Sequence, residues 1–202
     1  MEMNKVLFGN KQGKRAVIVL PGRGGTASTI CLLYKEIVDS DTLIVGLTPD
    51  NYEWYPRPKG SKNQENAIAG IPPSVNLIAN ELDAIKEEYN IQYYSMTVAG
   101  FSAGGVMALE VSFARPNLGG IIVHSGACLT LETLQTCKNP DLPYLATHSL
   151  DDSVFGWSER FMPMVEQLKD KGYNLKTCER KKGGHTVSKQ DLIAAKDFLQ
   201  AI

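Results

Sequence analysis

Residues 94–113 read Tyr-Ser-Met-Thr-Val-Ala-Gly-Phe-Ser-Ala-Gly-Gly-Val-Met-Ala-Leu-Glu-Val-Ser-Phe, and they constrain the fold more than any other stretch of the chain. An apolar strand runs into Gly100-Phe101-Ser102-Ala103-Gly104 and passes directly into an amphipathic helix. So sharp a strand-to-helix turn holds Ser102 in a strained backbone conformation and lifts its hydroxyl clear of the sheet. Gly100 and Gly104 suit it because a Cβ at either would collide with a neighbouring strand or helix. The helix aims its first N–H groups at the space above Ser102, where negative charge is stabilised. This is the setting of a serine nucleophile.

Strand and helix signals alternate on both sides of this turn. Strands are expected near 6–8, over 16–20 and 43–47, and again over 120–124, 144–148 and 174–180. Ala16-Val-Ile-Val-Leu20 is a continuous apolar run, as in a parallel strand covered on both faces. Helices are expected over 28–38, 74–89 and 157–171, the last shortened or kinked by Pro163. The 74–89 helix carries Val75, Ile78, Leu82, Ile85 and Tyr89 at helical spacing. Ser188, with Asp191 at the third helical position, caps a final helix that buries Leu192, Ala195, Leu199 and Ile202. The alternation implies an α/β fold, a mostly parallel central sheet with helices on both faces, in one domain over 1–202. Residues 125–142 are too few to form a cap domain.

Elbow-type nucleophiles are followed in the chain by an acid and then a histidine. Asp151-Asp152 ends the strand over 144–148, and Gly183-Gly184-His185 ends the next. In a parallel sheet those strand ends share one edge with Ser102. His185 would take the serine proton, and one of the two aspartates would orient the imidazole; the other is a solvated loop residue. His124 and His148, at the ends of buried runs, read as packed, hydrogen-bonded core residues. The loop Pro21-Gly22-Arg23-Gly24-Gly25 follows an early strand, so the backbone N–H groups of Arg23 and Ala103 are the expected oxyanion hole. Its spacing matches neither a dinucleotide fingerprint nor a P-loop.

The remaining readings narrow the partners. A net charge of −1 and a pI near 6.3 argue against nucleic acid or an anionic membrane as partner. No apolar run reaches membrane-spanning length, and the N-terminus lacks a signal-peptide core. Cys31, Cys128, Cys137 and Cys178 lack metal-site spacing and read as free thiols of a cytoplasmic protein. No cofactor or metal is implied, and a homodimer is compatible with the chain. The segment 48–73 reads as one long loop after a parallel strand. Its Trp54 and Tyr55 are expected to line the substrate pocket, or else to pin the loop to the core. Arg57, Lys59 and Lys62 read as a solvated face.

Taken together, L-P-G-R-G-G, W-Y-P, G-F-S-A-G-G-V-M-A-L, S-G-A, H-S-L-D-D-S-V and G-G-H-T-V-S resemble the phospholipase/carboxylesterase family of α/β-hydrolases over nearly the whole chain. The resemblance assigns the acid to Asp152, through the family pattern H-G-x-x-D-x-V, and the base to His185. It implies an α/β-hydrolase fold and a serine esterase acting on small-molecule, short-to-medium acyl esters. An acyl thioesterase or lysophospholipase would use the same triad, and a non-catalytic binding protein could share the scaffold. Two departures stand out. The family usually has His-Gly where this chain has Pro21-Gly22, and often glutamine where it has Ala103.

Overall fold

The computed structural model of the chain describes residues 3–57, 61–129 and 131–202. Seven strands form one sheet: β1 (Met3–Gly9), β2 (Arg15–Leu20), β3 (Thr42–Pro49), β4 (Met96–Phe101), β5 (Gly120–His124), β6 (Pro143–Ser149) and β7 (Asn174–Arg180). Their spatial order is β1-β3-β2-β4-β5-β6-β7. All neighbours run parallel except β1, which pairs antiparallel with β3. Among the described residues five α-helices cover the sheet: α1 (Ala27–Lys35), α2 (Ser61–Tyr89), α3 (Ala103–Ala114), α4 (Met162–Asp170) and α5 (Lys189–Ala201). Helices α2, α3 and α4 pack into one apolar core and α1 and α5 into the other, on opposite faces of the sheet. This is an α/β-hydrolase fold.

Strand β2 is followed by β3 on one side and, after α2, by β4 on the other. The loops after β2 and β4 therefore part at a topological switch point, where a crevice opens above the carboxyl ends of the strands. Register carries the site sideways. Phe101 pairs with His124, His124 with Thr147 and Thr147 with Cys178, so the residues following β4, β6 and β7 emerge on one edge.

Two helices, α2 and α3, depart from expectation. Helix α2 does not start at Ser74; it runs from Ser61 straight through Pro72 and Pro73. Ala67, Ile71, Val75, Ile78, Leu82 and Ile85 form one buried stripe across the prolines. An interior proline costs about 3 kcal/mol, while each buried aliphatic side chain contributes about 1.5–3 kcal/mol, so the stripe outweighs the break. Within the segment 48–73, the described residues up to Arg57 form a short strap with a 3₁₀ turn at Asp50–Tyr52, and those from Ser61 onward are helix. Arg57 on it is exposed, whereas Lys59 and the side chain of Lys62 lie outside the described residues. Helix α3 is not amphipathic: all its residues but Glu110 and Ala114 are buried, because it lies between the sheet and α2. Before α4, residues Trp157–Phe161 form a π-helical turn, so the helix expected over 157–171 is interrupted near Pro163, which sits in the first turn of α4 and supplies no N–H to the turn before it.

Helix α5 carries the expected capping box between Ser188 and Asp191. It buries Ala195 and Phe198 fully and Leu192 and Leu199 partly, but Ile202 is 38% exposed. No described helix is long and apolar enough to cross a membrane. Between β5 and β6 the described residues hold only a 3₁₀ turn, Leu131–Thr133, and no cap.

Candidate active site

Ser102, between β4 and α3, sits at φ 55°, ψ −119°, a conformation L-residues rarely adopt. The surroundings enforce it. Its N–H donates to the His124 carbonyl at 2.9 Å, fixing the turn to β5. A Cβ on Gly100 would lie 2.0 Å from the Gly104 carbonyl oxygen, and one on Gly104 would lie 2.2 Å from that of Leu20. Only glycine at both positions lets α3 approach the sheet so closely. Ala103 is the first residue of α3, so its N–H has no intrahelical carbonyl to bond.

Across the crevice, His185 Nε2 lies 2.7 Å from Ser102 Oγ, and His185 Nδ1 lies 2.8 Å from Asp152 Oδ2. A carboxylate only accepts, so Nδ1 carries the proton and Nε2 presents its lone pair to the serine hydroxyl. Asp152 is 4% exposed; its Oδ1 accepts the N–H groups of Val154 and Phe155 at 2.8 and 3.0 Å. The imidazole is flanked by the rings of Phe101 and Phe155, with centroids 5.0 and 6.0 Å away.

Asp151 turns the other way, and it is more than a solvated loop residue. It accepts the N–H groups of Gly184 at 2.8 Å and Gly183 at 3.3 Å, and the Ser149 hydroxyl at 2.5 Å. That bonding holds its carboxyl below the usual range, the Ser149 hydrogen bond first among the causes. On the far side of the same loop, Arg180 Nη2 donates to the carbonyls of Gly184 at 2.9 Å and Thr186 at 2.7 Å. Its Nη1 bonds Asp191 at 2.6 Å, in a pair with almost no exposure. Ser125 Oγ also donates to the Thr186 carbonyl, at 3.1 Å. His185 is thus presented by a loop braced at its N–H groups by Asp151 and at its carbonyls by Arg180. Sequence reading passed over Arg180 and Ser125; the one available signal was a charged residue closing a half-buried strand.

The other histidines are core residues. His124, fully buried, meets Tyr34 Oη at 2.9 Å and Thr147 Oγ1 at 2.8 Å, and burial pushes its pKa down to about 4. His148 stacks on Phe161 and donates from Nε2 to the Phe155 carbonyl at 2.7 Å, which steadies the loop bearing Asp152. Burial lowers its pKa as well. Cys31 and Cys128 are buried thiols pushed up to about 12 by desolvation, far from reactive.

Arg23 sits on the loop after β2. Its guanidinium bonds Glu53 Oε1 at 2.6 Å and the Tyr55 carbonyl at 2.9 Å, so the strap fixes the loop. Trp54 and Tyr55 do not line a pocket: they are 2% and 4% exposed and belong to the core. Trp54 Nε1 donates to the Pro21 carbonyl at 2.8 Å, and its own carbonyl accepts from Ser74 Oγ. A ring that finds both apolar cover and an acceptor in the core has no reason to face the crevice. The walls of the crevice are other residues: Pro21, Thr26, Thr29, Ile30 and Leu33 on one side and Phe101, Thr186 and Val187 on the other. Nothing in the sequence separated these α1 residues from an ordinary helix surface.

The phospholipase/carboxylesterase family pattern matches residues 2–202. Among solved structures, esterase PE8 superposes with a TM-score of 0.89 at 23% identity, covering 100% of both chains. A phospholipase/carboxylesterase from Dyadobacter fermentans gives 0.83 at 24% identity, covering 98% of this chain and 97% of its own. YahD, determined with malic acid, gives 0.83 at 20% identity over 99% of each chain. At these identities the likeness is one of fold. No protein of curated function matches the sequence.

Proposed function

The chain belongs to the phospholipase/carboxylesterase family, and from that premise we propose that it is a serine hydrolase of carboxylic esters. Ser102 is the nucleophile, His185 the base and then the acid, and Asp152 the group that orients and charge-balances the imidazole. The observation that carries this is the unbroken line from Asp152 Oδ2 through His185 to Ser102 Oγ, 2.8 and 2.7 Å, ending on a backbone at φ 55°.

In this mechanism Ser102 Oγ attacks the ester carbonyl as its proton passes to His185 Nε2. The oxyanion is held by the N–H groups of Arg23 and Ala103. The intermediate collapses, the leaving alkoxide takes the proton from His185, and the alcohol departs. Water then attacks the acyl-serine with His185 again as base, releasing the acid and restoring Ser102. The rigid tethering of Arg23 to Glu53 and Tyr55 supports a preformed hole. The lack of a cap among the described residues supports small, soluble, short-to-medium acyl esters as substrates. Four free thiols support a cytoplasmic setting.

A fluorophosphonate should add covalently at Ser102 and should fail to label Ser102→Ala, as read by intact-mass spectrometry and peptide mapping. Wild-type protein left unmodified after prolonged exposure would favour a binding role on a hydrolase scaffold.

A further inference from the structure

A groove of about 360 Å³ opens beside His185, between α1 and the His185 loop. Ile30 and Leu33 of α1 wall it on one side and Phe101 and Val187 on the other, with Thr26 and Thr29 nearer solvent. Thr26 is the N-cap residue of α1, yet its hydroxyl makes no capping bond. The groove is therefore apolar at its base, with hydroxyls at its edge and His185 at one end.

We infer that this groove holds the alcohol portion of the substrate, and that the enzyme selects esters of apolar alcohols through Leu33 and Val187. The inference rests on the serine-esterase reading above. Besides the serine oxygen, the tetrahedral intermediate carries an oxyanion, an alkoxy group and an acyl substituent. The oxyanion is taken by the N–H groups of Arg23 and Ala103. The alkoxy oxygen must come within about 2.6–3.2 Å of His185 Nε2, because that nitrogen returns the proton as the C–O bond breaks. Carbons beyond that oxygen then continue past the imidazole, and the space there is the groove lined by His185, Thr186 and Val187. The acyl substituent is directed away from His185 and does not enter it. Each alcohol CH₂ covered by Ile30, Leu33, Phe101 and Val187 leaves water, and full burial would raise kcat/KM by about fourfold per CH₂.

The test uses two ester series followed by pH-stat titration: acetates of methyl, propyl, butyl and hexyl alcohol, and methyl esters of the acids of matching length. The alcohol series should climb by about twofold to fourfold per carbon and then level off, while the acyl series stays flat or falls. In Leu33→Trp, and in Thr29→Phe one turn earlier, the hexyl-to-methyl acetate ratio should drop by at least about tenfold relative to wild type. Hydrolysis that climbs with acyl length instead, or is indifferent to alcohol length, overturns the assignment and leaves the esterase reading standing. No hydrolysis of any ester in either series overturns both.

Discussion

At the scale of single residues, the two adjacent aspartates after β6 separate two kinds of work. Asp152 is buried and faces the imidazole, whereas Asp151 braces the loop that carries it. Asp152→Asn should lower kcat by roughly 10²–10⁴, because the amide can turn an N–H toward Nδ1 and favour the wrong tautomer. Asp151→Asn keeps an acceptor for Gly184 N–H and should lower kcat by less than about tenfold. Steady-state kinetics on one ester compares them; a larger loss for Asp151→Asn would place the acid one residue earlier.

Among elements, the strap between β3 and α2 shows how packing overrules local preference. Sequence alone makes 48–73 a loop, since two prolines end most helices. Instead the apolar stripe of α2 extends across them, and the strap folds back so that Trp54 bonds the loop after β2 while Ser74 bonds Trp54. Trp54 is thus a structural tie between α2 and the candidate oxyanion loop. Trp54→Ala should reduce the free energy of unfolding by about 3–5 kcal/mol, the usual cost of emptying a buried aromatic site. Urea denaturation would measure it. A loss under about 1 kcal/mol would mean the ring is not the tie that its burial indicates.

For the molecule as a whole, stability should depend on pH through groups that the fold buries. Glu110 is a half-buried residue of α3: its Oε1 has no hydrogen-bond partner among the described residues, and burial raises its pKa to about 7. Unfolded, a glutamate titrates near 4.3. As pH rises, the unfolded chain therefore releases this proton first, and stability falls between about 4.5 and 7. His124 works in the opposite direction. Its folded pKa is about 4 against roughly 6.5 unfolded, so the unfolded chain binds the proton first and stability falls as pH drops through that window. The two slopes oppose each other at mildly acidic pH. Glu110→Gln removes one of them, so its advantage over wild type should grow by on the order of 2 kcal/mol from pH 5 to pH 8. Urea midpoints at the two pH values check this; an advantage that shrinks with pH would reverse the assignment.

Sequence alone determined what depends on local geometry and period: all seven strands, including the elbow strand, the turn at Ser102, the cap of α5, and the chain order of Ser102, Asp152 and His185. These are written in short stretches because glycine tolerance, β-branched apolar runs and capping residues act within a few positions. For Asp151 and Asp152, which have the same chemistry, the residue types left the choice open and the family pattern alone pointed to Asp152; only the tertiary structure decided what Asp151 does, which is to bond the N–H groups of the His185 loop. The tertiary structure alone decided that α2 crosses two prolines, that α3 is buried at all but two of its residues and that Trp54 and Tyr55 lie in the core. It also brought Arg180 of β7 to the carbonyls around His185, and Leu33 of α1 opposite Val187. Each of these rests on contacts between residues far apart in the chain, whose free energies exceed the local preferences that a sequence displays.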